Sequence, residues 1–453
     1  MEETKKIYDH TEGSIIKSIF RMGFPSMIGF AALNIYDLVD MFWVAKLGAE
    51  PVAAITIFSS FYWVISAANQ IVGTGSVAVI SRRYGEKNYP ETERAIKDTI
   101  ILKWILALFF GSIGYILLDK ILVLLGAKGE VVNLGIRYGK VQFLGLGFAF
   151  STFTIYTALR SVGNPKTAMA IMLGSTALNM ILDPFLIFGW WFFPKLGVLG
   201  AAVASVISFT TAFLTGLVVF FSGKCNVTLH LRSKISIKIK SLVKIMGIGL
   251  PTGINDISFH FARLVIMPLV AVFGTEVVAI YGMGMRISAL GIMVIVGLGL
   301  GLSSLIGHNL GAGKVDRAQK TANQASLLAV SIMLFFGLVN FVFAPFIVKI
   351  FFQASNLVSL GAILLRIQAI SLPFLGLYII LEMVFSGAGD NVPPMIIGMI
   401  YSWVLEIPLI LVFTKVLGFN QNGVWWAIVL ATIIGSALFY FWYRKGRWLK
   451  REV

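Results

Sequence analysis

Two stretches of this chain follow one plan, half a chain apart. Gly23 to Gly48 reads GFPSMIGFAALNIYDLVDMFWVAKLG, and Gly249 to Gly274 reads GLPTGINDISFHFARLVIMPLVAVFG, 226 positions downstream in 453 residues. At that one offset Pro25 meets Pro251, Glu50 meets Glu276, Gly75 meets Gly301 and Gly85 meets Gly311. The register continues through Gly135 and Gly361, Gln142 and Gln368, Gly163 and Gly389, and Gly197-Val198 and Gly423-Val424. Glycines held at one spacing over half a chain mark an internal duplication, so any fold for the first half must also serve the second.

Each copy opens with a segment long enough to cross a bilayer, which takes roughly 20 apolar residues. The whole chain is 58% hydrophobic and only 13% charged, with a mean hydropathy of +0.87, whereas soluble domains are about 25% charged. Apolar spans fall near 15–45, 53–80, 99–124, 131–158, 168–192 and 197–222, then near 242–272, 278–306, 322–350, 357–385, 394–416 and 423–443. This predicts an all-α polytopic membrane protein of twelve transmembrane helices in two six-helix lobes: 1–222, a cytoplasmic linker 223–241, and 242–453. Six is even, so both lobes start from the same side, and a pseudo-twofold along the membrane normal should relate them.

The net charge of +16 is a topology signal and not a nucleic-acid footprint. Lys5, Lys6 and Lys17 precede the first span, and Arg82, Arg83, Lys87, Arg94 and Lys97 follow the second. Arg160 and Lys166 follow the fourth, Lys314, Arg317 and Lys320 the eighth, and Arg444, Lys445 and Arg447 the twelfth. Basic residues concentrate in cytoplasmic loops, which puts both termini in the cytoplasm of a prokaryotic inner membrane. The opening MEETKKIYDHTEGS lacks the charged-then-apolar pattern of a cleaved leader. Cys225 is the only cysteine, so no internal disulfide is available. The run ISIKIKSLVK at 235–244 alternates apolar and basic residues and suits either a solvated linker or an anionic lipid surface.

Polar groups inside the spans are the functional candidates. An intramembrane carboxylate costs about 2.5–3.5 kcal/mol to insert, so it normally faces a partner or a cavity. The first span carries Asn34, Tyr36, Asp37 and Asp40, and Tyr36, Asp37 and Asp40 share a broad helical face. Pro25 interrupts the same helix by removing a backbone donor. In the fifth span Asn179 and Asp183 are one turn apart, and Pro184 leaves the Met180 carbonyl without its usual donor. Such oxygens suit a proton or a small hard cation; they also suit a structural pair between helices. The seventh span holds Asn255, Asp256, His260 and Arg263, which reads best as a structural Asp–His or Asp–Arg pair. Glu382 and Glu406 have no partner identifiable from spacing.

The run DMFWVAKLG at 40–48, RSVGNPK at 160–166, NMILDPFLIFG at 179–189, GVLGAAVAS at 197–205, the GLP that opens the seventh span and GAGD at 387–390 together resemble the multidrug and toxic compound extrusion (MATE) family. The resemblance covers essentially the whole chain. It implies a secondary antiporter that exports organic cations or amphipathic compounds in exchange for H⁺ or Na⁺, with no cofactor, no nucleic acid, membrane lipid as its surroundings, and a monomer as its unit. It further implies coupling residues Asp40, Asn179, Asp183, Tyr138 and Ser205, a possible Na⁺ at Asp40, Asn179 and Asp183, and a bend at Pro25. Asn34, Tyr36, Asp37 and Asp40 are the expected substrate contacts. Asp37 stands where the family pattern has Asn, and Ala45-Lys46 where it has Gly-Arg. Phe259 replaces the acidic residue of the branch that binds Na⁺ in its C-terminal lobe, which points to the DNA-damage-inducible and archaeal branch.

A flippase for a lipid or lipid-linked substrate is the competing expectation, and it should line its cleft with Arg and Lys, whereas the spans here are acidic. An intramembrane enzyme has no support, since HExxH and GxSxG are absent and GAGK at 311–314 lacks the remainder of a phosphate loop. The topology is directly testable. Cysteines placed singly at Lys87, Ser236 and Lys314 should react with an impermeant thiol reagent only from the cytoplasmic side; labelling of any one from outside intact cells contradicts the twelve-span arrangement.

Overall fold

A computed structural model describes residues 9–223, 225–230 and 239–453. The stretch 231–238, including most of the ISIKIK run, lies outside the described residues. The chain is a succession of helices: α1 (Ile15–Ala45), α2 (Ala49–Gly85), α3 (Tyr89–Leu124), α4 (Glu130–Leu144), α5 (Leu146–Ser161), α6 (Pro165–Phe188) and α7 (Val198–Phe221) form the first half. The second half comprises α8 (Ile239–Ala271), α9 (Thr275–Gly311), α10 (Val315–Val342), α11 (Ala344–Phe351), α12 (Ser355–Ala388), α13 (Val392–Val416) and α14 (Asn420–Arg444). Among the described residues 11 helices are long and apolar enough to cross a membrane, and counting α4 and α5 as one span bent by 53° makes 12. The bend sits at Gly145, where Val206 of α7 and Trp104 of α3 press against the backbone of Gly145 and Gly147.

Local chemistry sets the helix ends. Ser14 accepts a hydrogen bond from the Lys17 amide at the start of α1, and Asn88 caps the Glu91 amide at the start of α3. Gly163 and Gly389, counterparts at the 226 offset, both have φ of +78°, a left-handed turn that only glycine adopts without strain. The copies diverge in places. Gly197 precedes α7 with φ +59°, whereas its counterpart Gly423 lies within α14 against the backbone of Phe413. In α13 the backbone widens into π turns at Ile400–Glu406 and Val412–Val416, on either side of the donor-less Pro408.

The halves meet through glycines. At Gly75 the backbone of α8 at Ile245 leaves no room for a Cβ, and at Gly249 the backbone of α2 at Ile71 does the same. The 226 offset converts this crossing into that of Gly301 with Gly23, where Met22 crowds Gly301 and Leu298 crowds Gly23. Likewise Gly85 lies against His308, and Gly311 against Arg82, the counterpart of His308. Each contact and its exchanged partner both exist, which is what a twofold between the halves requires. Because both halves start from one side, that axis runs along the membrane normal.

All of these crossings lie at one end of the bundle, the early turns of α1 and α8 and the late turns of α2 and α9. The hydrogen bonds that Arg82, His308, Lys314 and Arg317 make between the halves lie there too. Further along, α1 exposes Leu38 (72%) and α8 exposes Leu264 (69%). The halves are therefore joined on the side that carries both termini, while the far turns of α1 and α8 stay uncovered, Asn34 and Asp37 among them. Gly249→Val should lower the melting temperature in detergent by the equivalent of about 1–3 kcal/mol of overpacking or more. Gly247→Val, at a position open to space, should leave it nearly unchanged; equal melting of the two variants would remove the crossing as a determinant of stability.

Candidate cation and substrate chamber

The first-half chamber is assembled from four helices. On α1, Pro25 is buried inside the helix, and the Ser26 hydroxyl donates to the Met22 carbonyl (2.7 Å), drawing a side chain into the turn that the proline weakens. Further along, Asp40 is buried at 8% exposure while Asp37 is exposed. Asn34 is exposed as well and its side chain donates to the Phe30 carbonyl at 2.8 Å. Tyr36 shares a 2.7 Å hydrogen bond with Ser205, tying α1 to α7.

On α6, Asn179 and Asp183 are both fully buried, and the Asn179 amide donates to Asp183 Oδ1 at 3.4 Å. On α4, Tyr138 accepts a 3.1 Å hydrogen bond from Gln142 and packs edge-on against Phe58. Tyr138 lies within electrostatic reach of both Asp40 and Asp183, and Asp183 within reach of Asp40. The residues expected from sequence are thus gathered: Tyr36, Asp40, Tyr138, Asn179, Asp183 and Ser205 face one interior, while Asp37 and Asn34 are exposed.

Three oxygens in this interior are buried without a hydrogen-bond partner: Asp40 Oδ1, Asn179 Oδ1 and Asp183 Oδ2. A buried acceptor left unpaired costs about 1–3 kcal/mol, more when charged, and a shared proton or an oxygen-seeking cation would relieve it. Thr176 Oγ1 is buried and unpartnered too. Sequence reading passed over Thr176, although Thr176, Asn179 and Asp183 follow one another at i, i+3 and i+7, the spacing of a single helical face. Among the described residues no three His, Cys, Asp or Glu side chains gather as a metal centre would need.

A profile of the MatE family matches residues 25–185 and again 251–412, the two matches starting at Pro25 and Pro251, 226 positions apart. The chain belongs to the MATE family. It is 27% identical to "Probable multidrug resistance protein YpnP" of Bacillus subtilis (strain 168), covering 98% of each chain. It is 27% identical to "Multidrug export protein MepA" of Staphylococcus haemolyticus (strain JCSC1435), covering 96% of this chain and 95% of that one. Among solved structures it matches "Outward-facing conformation of a multidrug resistance MATE family transporter of the MOP superfamily" with a TM-score of 0.90 and 26% identity over 100% of both chains.

In this MATE chain the second half corrects two sequence-based expectations. Arg263 does not pair with Asp256. Its guanidinium donates to Glu406 on α13 (2.9 Å) and to the Tyr281 hydroxyl on α9 (3.1 Å), and it stacks over Phe259 at 4.7 Å. His260 is exposed and its ring packs on Phe259 (6.0 Å), not on Asp256. Glu406 ends the first π stretch of α13, and that irregular backbone carries it into the bundle at 1% exposure. Carboxylates from different helices also approach one another in the second half. Asp256 on α8 and Glu382 on α12 are within electrostatic reach, and Asn255 donates to Glu382 at 3.3 Å. Spacing could not reveal these partners because they lie 127 and 143 positions apart in sequence.

Removing one partner of a buried ion pair costs about 3–5 kcal/mol, because the other charge stays behind uncompensated. Arg263→Met should therefore destabilise the protein by that order in thermal melts, and adding Glu406→Leu should restore most of the loss. Additive losses in the double variant would mean that the pair is not coupled.

Proposed function

We propose that the chain is a secondary antiporter that exports organic cations and amphipathic compounds across the cell membrane in exchange for H⁺ or Na⁺. The observation that carries this reading is the convergence of Asp40 and Asp183 from α1 and α6, with unpaired oxygens, at the side of a cleft closed toward the termini. The names of two relatives, for multidrug resistance and multidrug export, agree with it. The basic loops support placing the closed side in the cytoplasm. Both walls of the cleft come from one chain, so a monomer suffices.

The mechanism follows from competition for charge. Asp37, exposed, and Asp40, facing the interior, attract a cationic substrate. A coupling ion that reaches Asp40 and Asp183 cancels the charge that holds the substrate. The α1 backbone, lacking the donor of Pro25, can then change its bend and reshape the chamber wall that Tyr36 and Ser205 tie to α7. Arg263 is already paired with Glu406, so acidic groups set the sign of the cleft, which favours cations over a pyrophosphate-bearing lipid. Substrate and ion exclude one another, which couples their movements without a nucleotide.

The test is initial dye efflux from proteoliposomes with pH and Na⁺ gradients imposed separately. Asp183→Asn should abolish ion-driven efflux, and Asp40→Asn should impair cationic dyes far more than neutral ones. Pro25→Ala should slow transport while substrate binding survives. If Asp183→Asn transports normally while Asp256→Asn or Glu382→Gln does not, the coupling site is in the second half.

A further inference from the structure

On the closed side, residues 9–14 run across both halves before α1 begins. Two side chains from the α9–α10 corner of the second half grip this segment. Arg317 donates to the carbonyls of Gly13 (2.9 Å), Glu12 (2.9 Å) and His10 (3.4 Å). Lys314 donates to the Thr11 carbonyl and hydroxyl (3.0 Å each) and reaches Glu12 at 3.5 Å. Asp9 folds the segment back by accepting from the Thr11 amide (2.8 Å) and hydroxyl (2.7 Å), and it lies 3.9 Å from Lys87 at the α2–α3 corner of the first half.

The middle of the segment is an anchor. His10 is 6% exposed although it lies outside every helix, and its ring is 6.2 Å from that of His308. It also touches Gly163 of the first half. His308, on α9, donates from Nε2 to the Ser161 carbonyl of α5 at 2.6 Å and packs on Tyr84 of α2 at 4.9 Å. Two imidazoles from opposite halves thus meet in the plane where the closed face would have to part. Lys314 and Arg317 hold the carbonyls of this segment, the Thr11 hydroxyl and Glu12, and their geometry is that of a clasp.

We propose that residues 9–14 are a strap that latches the two halves together on this side, and that protonation of His10 beside His308 releases it, so that acidity on that side favours opening of the closed face. The charged and titratable groups around His10 are Asp9 on the strap, Arg21 on α1 and His308 on α9, with Tyr84, Lys87, Lys314 and Arg317 beyond them. Burial first, then His308 and Arg21, hold the His10 imidazole down at about 4 against the pull of Asp9. Opening would expose His10 and return it to the ordinary imidazole value of about 6.5. The closed state is therefore fully favoured above pH of about 6.5 and loses ground as pH falls toward 4. Between pH 7.5 and 5.5 the open-to-closed ratio should rise about tenfold from His10 alone.

The experiment uses the full chain in lipid nanodiscs, with Cys225→Ser and spin labels at Lys166 and Lys320, one on each half of the closed side. Pulsed dipolar distances should show a short population at pH 7.5 and an open-to-closed ratio about tenfold larger at pH 5.5. Lys314→Gln with Arg317→Gln should raise the open fraction already at pH 7.5. His10→Gln should stay closed at both pH values, with monodispersity and melting temperature checked against the parent. A distance distribution indifferent to pH in the parent overturns the proposal. So does a closed Lys314→Gln/Arg317→Gln variant, or a pH response that survives in His10→Gln.

Discussion

Backbone pressed against backbone at the glycine crossings is the contact on which the rest of the molecule rests. Gly75 against α8 and its exchanged counterpart at Gly301 bring the paired helices closer than any side chain allows. In lipid the hydrophobic effect gives helices no reason to associate, and small residues that permit close approach take over. Placed at one end only, these crossings make a hinge-like seam and leave the opposite ends free to splay. The uncovered far turns of α1 and α8 are thus a consequence of where the glycines stop.

Within that frame the polar chemistry is arranged unevenly. The twofold relates the scaffolds, yet it does not relate the charges: Asp40 and Asp183 correspond to Ile266 and Leu409 in the other copy. The first half keeps two carboxylates and an amide with unpaired oxygens. The second half sets one carboxylate against Arg263 and a second, Glu382, beside Asp256 and Asn255. A duplicated helix bundle supplies equivalent positions, and substitution at single sites then turns equivalent walls into different surfaces. The same reasoning accounts for the closed face, where Arg82 and His308 are counterparts that now make unrelated contacts, Arg82 with the Arg451 carbonyl and His308 with Ser161.

What the sequence by itself determined was whatever repeats or recurs locally. The 226-residue register, the apolar spans, the parallel sense of the halves and the membrane setting all follow from composition and period, which act within a helix or between identical copies. Asn179 and Asp183 were legible because one turn separates them, and Pro25 because a missing donor is a property of the residue. Tyr36 with Ser205, Arg263 with Glu406, Asn255 with Glu382 and His10 with His308 were not legible, since each joins helices whose mutual rotation no local pattern encodes. The tertiary structure alone decided which acids are paired, which keep free oxygens, and which side of the bundle is shut. The physical reason is that a buried charge takes its character from its nearest neighbours, and in a bundle those neighbours come from other helices.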